Sequence, residues 1–103
     1  MKRPAKIFAA VLLIALIQGC ASNPNQLTDD GKKVQIMPGK KPMEGCEVVD
    51  RFVGENDMSS IQVATNMVRN MAAKKGANYV LIEDEIQNGQ KVKVIATGYS
   101  CEQ

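Results

Sequence analysis

The chain has no histidine and no tryptophan among its 103 residues, and only two tyrosines and two phenylalanines. Without imidazole there is no Ser-His or Cys-His nucleophile pair, no imidazole general base and no histidine-containing zinc site. An excess of one charge is also missing: 13 Lys+Arg stand against 11 Asp+Glu, with no long basic tract. Scarce aromatics and scattered basic residues supply neither a stacking platform nor a cationic stripe, so no nucleic-acid partner is expected. Nor is there a bilayer-spanning run. The longest apolar stretch, Ile7 to Ile17, has eleven residues. As a helix it extends ~17 Å, against a hydrocarbon core of ~30 Å. One domain is the most that such a length supports.

Lys2, Arg3 and Lys6 precede that apolar run, which is the layout of a secretory signal. The run ends in Leu16-Ile17-Gln18-Gly19-Cys20 rather than in a small-residue cleavage site. This resembles the lipobox of bacterial lipoproteins, in which the cysteine sulfur receives a diacylglycerol and cleavage leaves an acylated N-terminus. Residues 1–19 are therefore expected to be a lipoprotein signal peptide, with Cys20 as the lipidation site and membrane lipid as its partner. Several acyl chains, at ~0.8 kcal/mol per buried methylene, anchor a small domain without a spanning helix. Ala21 stands where an Asp would resemble an inner-membrane retention signal, so the expected address is the outer membrane, facing the periplasm. Removing Lys2, Arg3 and Lys6 from the 13 basic residues leaves ten against 11 acidic ones. The positive balance belongs to the export signal, and the mature domain is nearly neutral.

Residues 20–33 are expected to be the lipidated cysteine and a flexible tether. The stretch is polar, with Pro24, Gly31 and one large apolar residue, Leu27, too little to offset the entropy of ordering. Residues 34–103 are expected to form an α+β globular domain of β-β-α-β-β order, one helix on a mostly antiparallel sheet. Val34 to Met37 alternates as a short strand and stops at Pro38-Gly39; Lys40 to Gly45 is a loop; Cys46 to Val53 is β-rich. That strand has two mixed faces: Cys46, Val48, Asp50 and Phe52 against Glu47, Val49, Arg51 and Val53. The helix follows, with Ser59 as N-cap, Gln62 completing a capping box, and Gly76 after Lys74 and Lys75 as its stop. Ile61, Ala64, Met67, Val68, Met71 and Ala72 make its apolar stripe. Residues 78–86 and 91–101 form a hairpin about Asn88-Gly89, the preferred type I′ pair. Counting outward pairs Asp84 with Lys93, Ile82 with Ile95, and Val80 with Thr97, on the face of Tyr99 and Cys101. Tyr79, Leu81, Val92, Val94 and Ala96 take the other face, and Gly98 is a close-packing point opposite Tyr79. One helix covers one face; the other needs further strands, a partner or exposure.

With Cys20 consumed by lipid, Cys46 and Cys101 remain as an even pair in an oxidising compartment, and a disulfide is expected. They lack the Cys-x-x-Cys spacing of catalytic thiols, so a structural role is expected. Glu83, Asp84 and Glu85 alternate across a strand and read as a solvated edge rather than a metal site. A paired-carboxylate glycosidase needs a cleft that so small a domain struggles to enclose. No catalytic residue, metal or cofactor is expected. Arg69 with Asn66 and Asn70 makes a polar helix stripe, Asn70 being placed one turn before the helix end to bond a neighbouring loop. Arg69, Asn70 and Asn78 are the candidates for structural polar roles.

Gly45-Cys46, Arg69-Asn70-Met71-Ala72-Ala73 running into Gly76-Ala77-Asn78, and Gly98-Tyr99-Ser100-Cys101 together resemble a family of small enterobacterial-type lipoproteins carrying a domain of unknown function. That family is distantly similar to the RcsF envelope stress-sensor lipoproteins. The likeness runs from about Val34 to Cys101, and the chain lacks the second cysteine pair and long proline-rich tether of RcsF. The resemblance implies an α+β domain with a Cys46–Cys101 disulfide, and no known activity. The expected function is a lipid-anchored, non-catalytic binding or sensing module with an envelope protein as partner. The competing expectations are a periplasmic thiol/redox or other small enzyme, and a structural lipoprotein binding peptidoglycan or lipid.

Overall fold

The computed structural model describes residues 26–102; the expected signal peptide and the lipidation site Cys20 lie outside them. The elements in chain order are α1 (Asp29–Lys32), β1 (Gln35–Ile36), β2 (Cys46–Asn56), α2 (Ile61–Lys74), β3 (Tyr79–Asn88) and β4 (Lys91–Cys101). The four strands form one sheet in the order β1-β3-β4-β2. β1 runs parallel to β3, and the other two pairings are antiparallel. With α2 packed across β2, β4 and β3, this is the small α+β domain expected from the sequence, with α1 added in front.

That addition corrects the tether boundary. Thr28 caps α1 by accepting from Gly31 N at 2.9 Å, and Gly31 is buried. The ordered chain therefore begins by Gln26 and not at Val34. The sequence pattern hides this because the segment is held by polar contacts and by Val34, which is 1 % exposed in the core, rather than by an apolar stripe of its own.

α2 starts one residue later than expected. Asn56 Oδ1 accepts from Met58 N at 2.9 Å and from Ser60 N at 3.2 Å, while its Nδ2 donates to Ser60 O at 2.7 Å. This pins the turn so that Ser60, not Ser59, accepts from Val63 N as N-cap. Ser59 is left with φ +57°. Gln62 makes no capping box; its Nε2 donates to Asn66 Oδ1. The C-terminal end is as expected: Gly76 takes φ +86°, with Gly76 N donating to Ala73 O and Ala77 N to Ala72 O, a Schellman motif. Ala64, Val68 and Ala72 of the expected stripe are fully buried, with Ile61 and Met71 packed beside them.

The hairpin closes one residue later and with a shifted register. Asn88 pairs with Lys91, so Gly89-Gln90 is the two-residue loop. Only the first of these has positive φ, +65°, the pattern of a type II′ rather than I′ turn. Asp84 pairs with Ile95 and Val80 with Gly98, and the register slips by one between Ile82 and Asp84. This bulge reverses the expected side of the first half of β3: Val80 and Ile82 join Val92, Val94 and Ala96 under the helix, while Tyr79 and Leu81 join Tyr99 and Cys101 on the far face. Gly98 faces Val80, and the space it leaves belongs to Phe52 and Ala77. A second bulge between Val48 and Asp50 splices the two mixed faces of β2. Val49 and Phe52 turn to the helix, which is why neither alternating set is cleanly apolar.

β2 meets α2 backbone to backbone at Gly54, where a Cβ would run into the Ala64 carbonyl oxygen. Gly54→Ala is expected to force strand and helix apart and lower stability by about 1–3 kcal/mol. Urea unfolding of the variant beside the parent checks this.

Candidate functional site

The helix buries one sheet face, and the far face is divided in two. On its first half Met37, Leu81, Tyr99 and Cys101 are buried, with Met43, Cys46 and Tyr79 packed against them, because residues 37–45 fold back over the sheet. The other half has no cover among the described residues: Val53 is 46 % and Ile86 43 % exposed, and by register Val53 stands beside Ile95 on this face. Val48, 64 % exposed, lies beside Tyr99 at the β2 edge of the first half. Between the halves lies a polar row that the bulge in β3 creates: Glu83 Oε2 accepts from Thr97 Oγ1 at 2.6 Å, and Glu83 Oε1 pairs with Arg51 Nη2 at 3.2 Å. Lys93 Nζ and Glu55 Oε1, 3.3 Å apart, border the patch on the hairpin side. Both pairs are substantially exposed and contribute little to stability; what they provide is a polar frame around an apolar centre, the composition of an interaction surface.

The patch adjoins β2, whose outer edge has no strand partner among the described residues, since β2 ends the strand order. The edge is blunted by the bulge, where Asp50 Oδ1 accepts from Arg51 N at 2.8 Å, leaving Phe52–Asn56 as the regular free stretch. β1 covers β3 only at Gln35 and Ile36.

The expected disulfide is present. Cys46 and Cys101 are direct ladder partners with Cα atoms 4.0 Å apart, one strand end tied to the other. Glu47, Ser100 and Glu102 line the shallow depression beside it. Carboxylates there oppose thiolate formation, the reverse of the electropositive setting of a reactive cysteine. A second open depression is lined by Glu55, Asp57, Lys91 and Lys93, with Ile86 and Val92, and brings together no nucleophile with a base. Among the described residues no group of three or more potential ligands is placed to hold a metal.

The three polar candidates all serve structure. Asn70, buried, accepts at Oδ1 from Thr28 N at 2.9 Å and Thr28 Oγ1 at 3.0 Å, and donates from Nδ2 to Gln26 O at 2.8 Å. Arg69 Nε donates to Val34 O at 2.9 Å. Together they clamp residues 26–34 to α2. Asn78 Nδ2 donates to Cys101 O and its Oδ1 accepts from Cys101 N, both at 2.8 Å, prolonging the β3–β4 ladder beside the disulfide. The sequence places Asn70 against a neighbouring loop; that loop is part of the expected tether itself. Sequence patterning misses Asn56, whose signal is only an Asn before a Ser-Ser pair, and the Arg51–Glu83–Thr97 row, which exists only through the bulge. Glu83 is thus part of that row and not merely a solvated edge.

Comparison with models of known protein families, with curated proteins and with solved structures returns no match.

Two outcomes follow. Asn70→Ala removes three hydrogen bonds, two of them accepted by the Asn70 amide oxygen; it is expected to cost about 1–3 kcal/mol and to raise hydrogen exchange selectively over residues 26–34. Cys46→Ala with Cys101→Ala opens a loop with a sequence separation of 55, and calorimetry is expected to record about 4 kcal/mol less stability.

Proposed function

We propose that this protein is a lipid-anchored module of the bacterial cell envelope, held through acylated Cys20, facing the periplasm, and acting by binding a protein partner rather than by catalysis. The observation that carries the binding reading is the uncovered half-face: Val53 and Ile86 remain 46 % and 43 % exposed, whereas Leu81, Tyr99 and Cys101 of the other half are buried with Met37. The partner that fits is an extended segment of an envelope protein. It adds to the free Phe52–Asn56 edge of β2 through main-chain hydrogen bonds and lays alternate apolar side chains over Val53. Arg51 and Glu83 give such a segment a polar position to read. The anchor reading is supported by the Leu16-Ile17-Gln18-Gly19-Cys20 sequence after a short apolar run, and the family resemblance carried by Arg69-Asn70, Gly76-Ala77-Asn78 and Tyr99-Ser100-Cys101 agrees with it. The acidic rim of the disulfide weighs against a thiol/redox role.

A photo-crosslinking side chain placed at Val53 in intact cells is expected to give a discrete adduct with an envelope protein. The same group at exposed Gln62, on the outer face of α2, serves as the control. No adduct at Val53, or the same adducts at both positions, would overturn the reading.

A further inference from the structure

The domain has two poles. β3 and β4 run between the hairpin loop Gly89-Gln90 at one end and the Cys46–Cys101 disulfide at the other. α2 lies with its start at the loop, where Ser59 N donates to Gln90 O, and its end beside Asn78. Nine residue steps of β3 separate the poles by ~30 Å. The chain leaves the described fold at Gln26, whose carbonyl is held by Asn70 one turn before Lys74, so its exit is at the disulfide pole and on the helix side.

Because the fold begins by Gln26 and not at Val34, the distance to the anchor changes. Six residue steps join Cys20 to Gln26, at most ~22 Å when fully extended; the thirteen residues of the expected tether would have reached more than twice as far. A domain tied this closely rests at the bilayer surface instead of ranging above it. Charge then selects which side turns down. Around the exit stand Lys32 and Lys33 of the α1 segment, Lys74 and Lys75 at the end of α2, and Arg69, whose Nη2 donates to Lys32 O at 3.4 Å. The lysines are exposed; among the described residues Asp29 pairs with Lys32 at 3.8 Å and Asp30 with Lys33 at 3.9 Å, so the basic excess rests on Lys74, Lys75 and Arg69. The other side of the same pole, at the disulfide, carries Glu44, Glu47 and Glu102 against Lys40 and Lys41 of the segment that folds over it, an acidic excess where the helix side has a basic one.

Building on the reading of Cys20 as an acylated anchor, we infer that α1 and the C-terminal end of α2 form a docking surface for the anionic phospholipid headgroups of the membrane in which the anchor sits. The basic helix side of the pole meets the phosphates, and the acidic disulfide rim is turned away from them. The hairpin loop then stands ~30 Å further out, with the uncovered sheet patch above the surface where a partner has access to it.

The full mature chain in nanodiscs of phosphatidylethanolamine and phosphatidylglycerol carrying a nitroxide on the headgroup tests this by NMR. The amides of Gly31, Lys32, Lys33, Lys74 and Lys75 are expected to lose most of their intensity relative to the reduced nitroxide, while Val53, Gly89 and Gln90 keep theirs. Broadening centred on the hairpin loop or the open sheet patch, or spread evenly over the domain, overturns the orientation. So does the absence of broadening, the outcome if a second copy covers this surface instead. Intact mass of the same sample separates the two levels: an unacylated Cys20 removes the anchor reading and the orientation with it, whereas an acylated chain lacking this broadening pattern overturns the orientation alone.

Discussion

Everything in this domain is built against β4. It is paired along its whole length, to β3 on one side and β2 on the other, and each neighbour carries one extra residue opposite it. A bulge is a phase shift in an alternating pattern, and two of them decide which apolar residues lie under the helix. Val49 and Phe52 are brought to one face although the spacing of three puts them on opposite faces of a regular strand. Val80 and Ile82 come under α2, while Leu81 and Tyr79 are released to the far side. The core could not be filled by the regular alternation of either neighbour, and β4, which has no bulge, is the straight edge from which both are measured.

The same phase shifts produce the surface that has no explanation in terms of stability. Glu83 is turned toward Thr97 and Arg51 by the bulge in β3, and the row they form separates the covered half of the far face from the open one. Residues 37–45 reach only the first half. A chain that merely needed to fold had an inexpensive alternative in polar side chains at Val53 and Ile86, as it uses at Glu55 and Lys93 nearby. Their apolar character, at a sheet face beside a free strand edge, is the physical basis for reading the domain as a binding module.

Much of the architecture was legible before any coordinates. The α2 stripe, its glycine stop, the hairpin, the short first strand and the Cys46–Cys101 pair are all short-range or parity signals that survive any tertiary arrangement. What misled was of one kind. Ser59 for Ser60, type I′ for type II′, and the exchanged faces of β3 are errors of one or two residues, and in a period-two structure a single residue reverses an assignment completely. The tether differs for another reason: residues 26–34 are held by Asn70 and Arg69, more than thirty residues away in sequence, mostly through backbone groups that any residue type carries, with the Thr28 hydroxyl as the exception. No pattern within that segment announces such a bond.

By itself, then, the sequence determined the number and kind of elements, the single staple, and the lipobox-like start, because local propensity, chain spacing and cysteine parity are written in neighbouring residues. The tertiary structure alone decided where order begins, which half of the sheet stays open, and which side of the molecule lies nearest the chain's exit. Those depend on bulges and side-chain-to-backbone bonds between distant segments, whose energies are set by three-dimensional fit and leave no periodic trace in the chain.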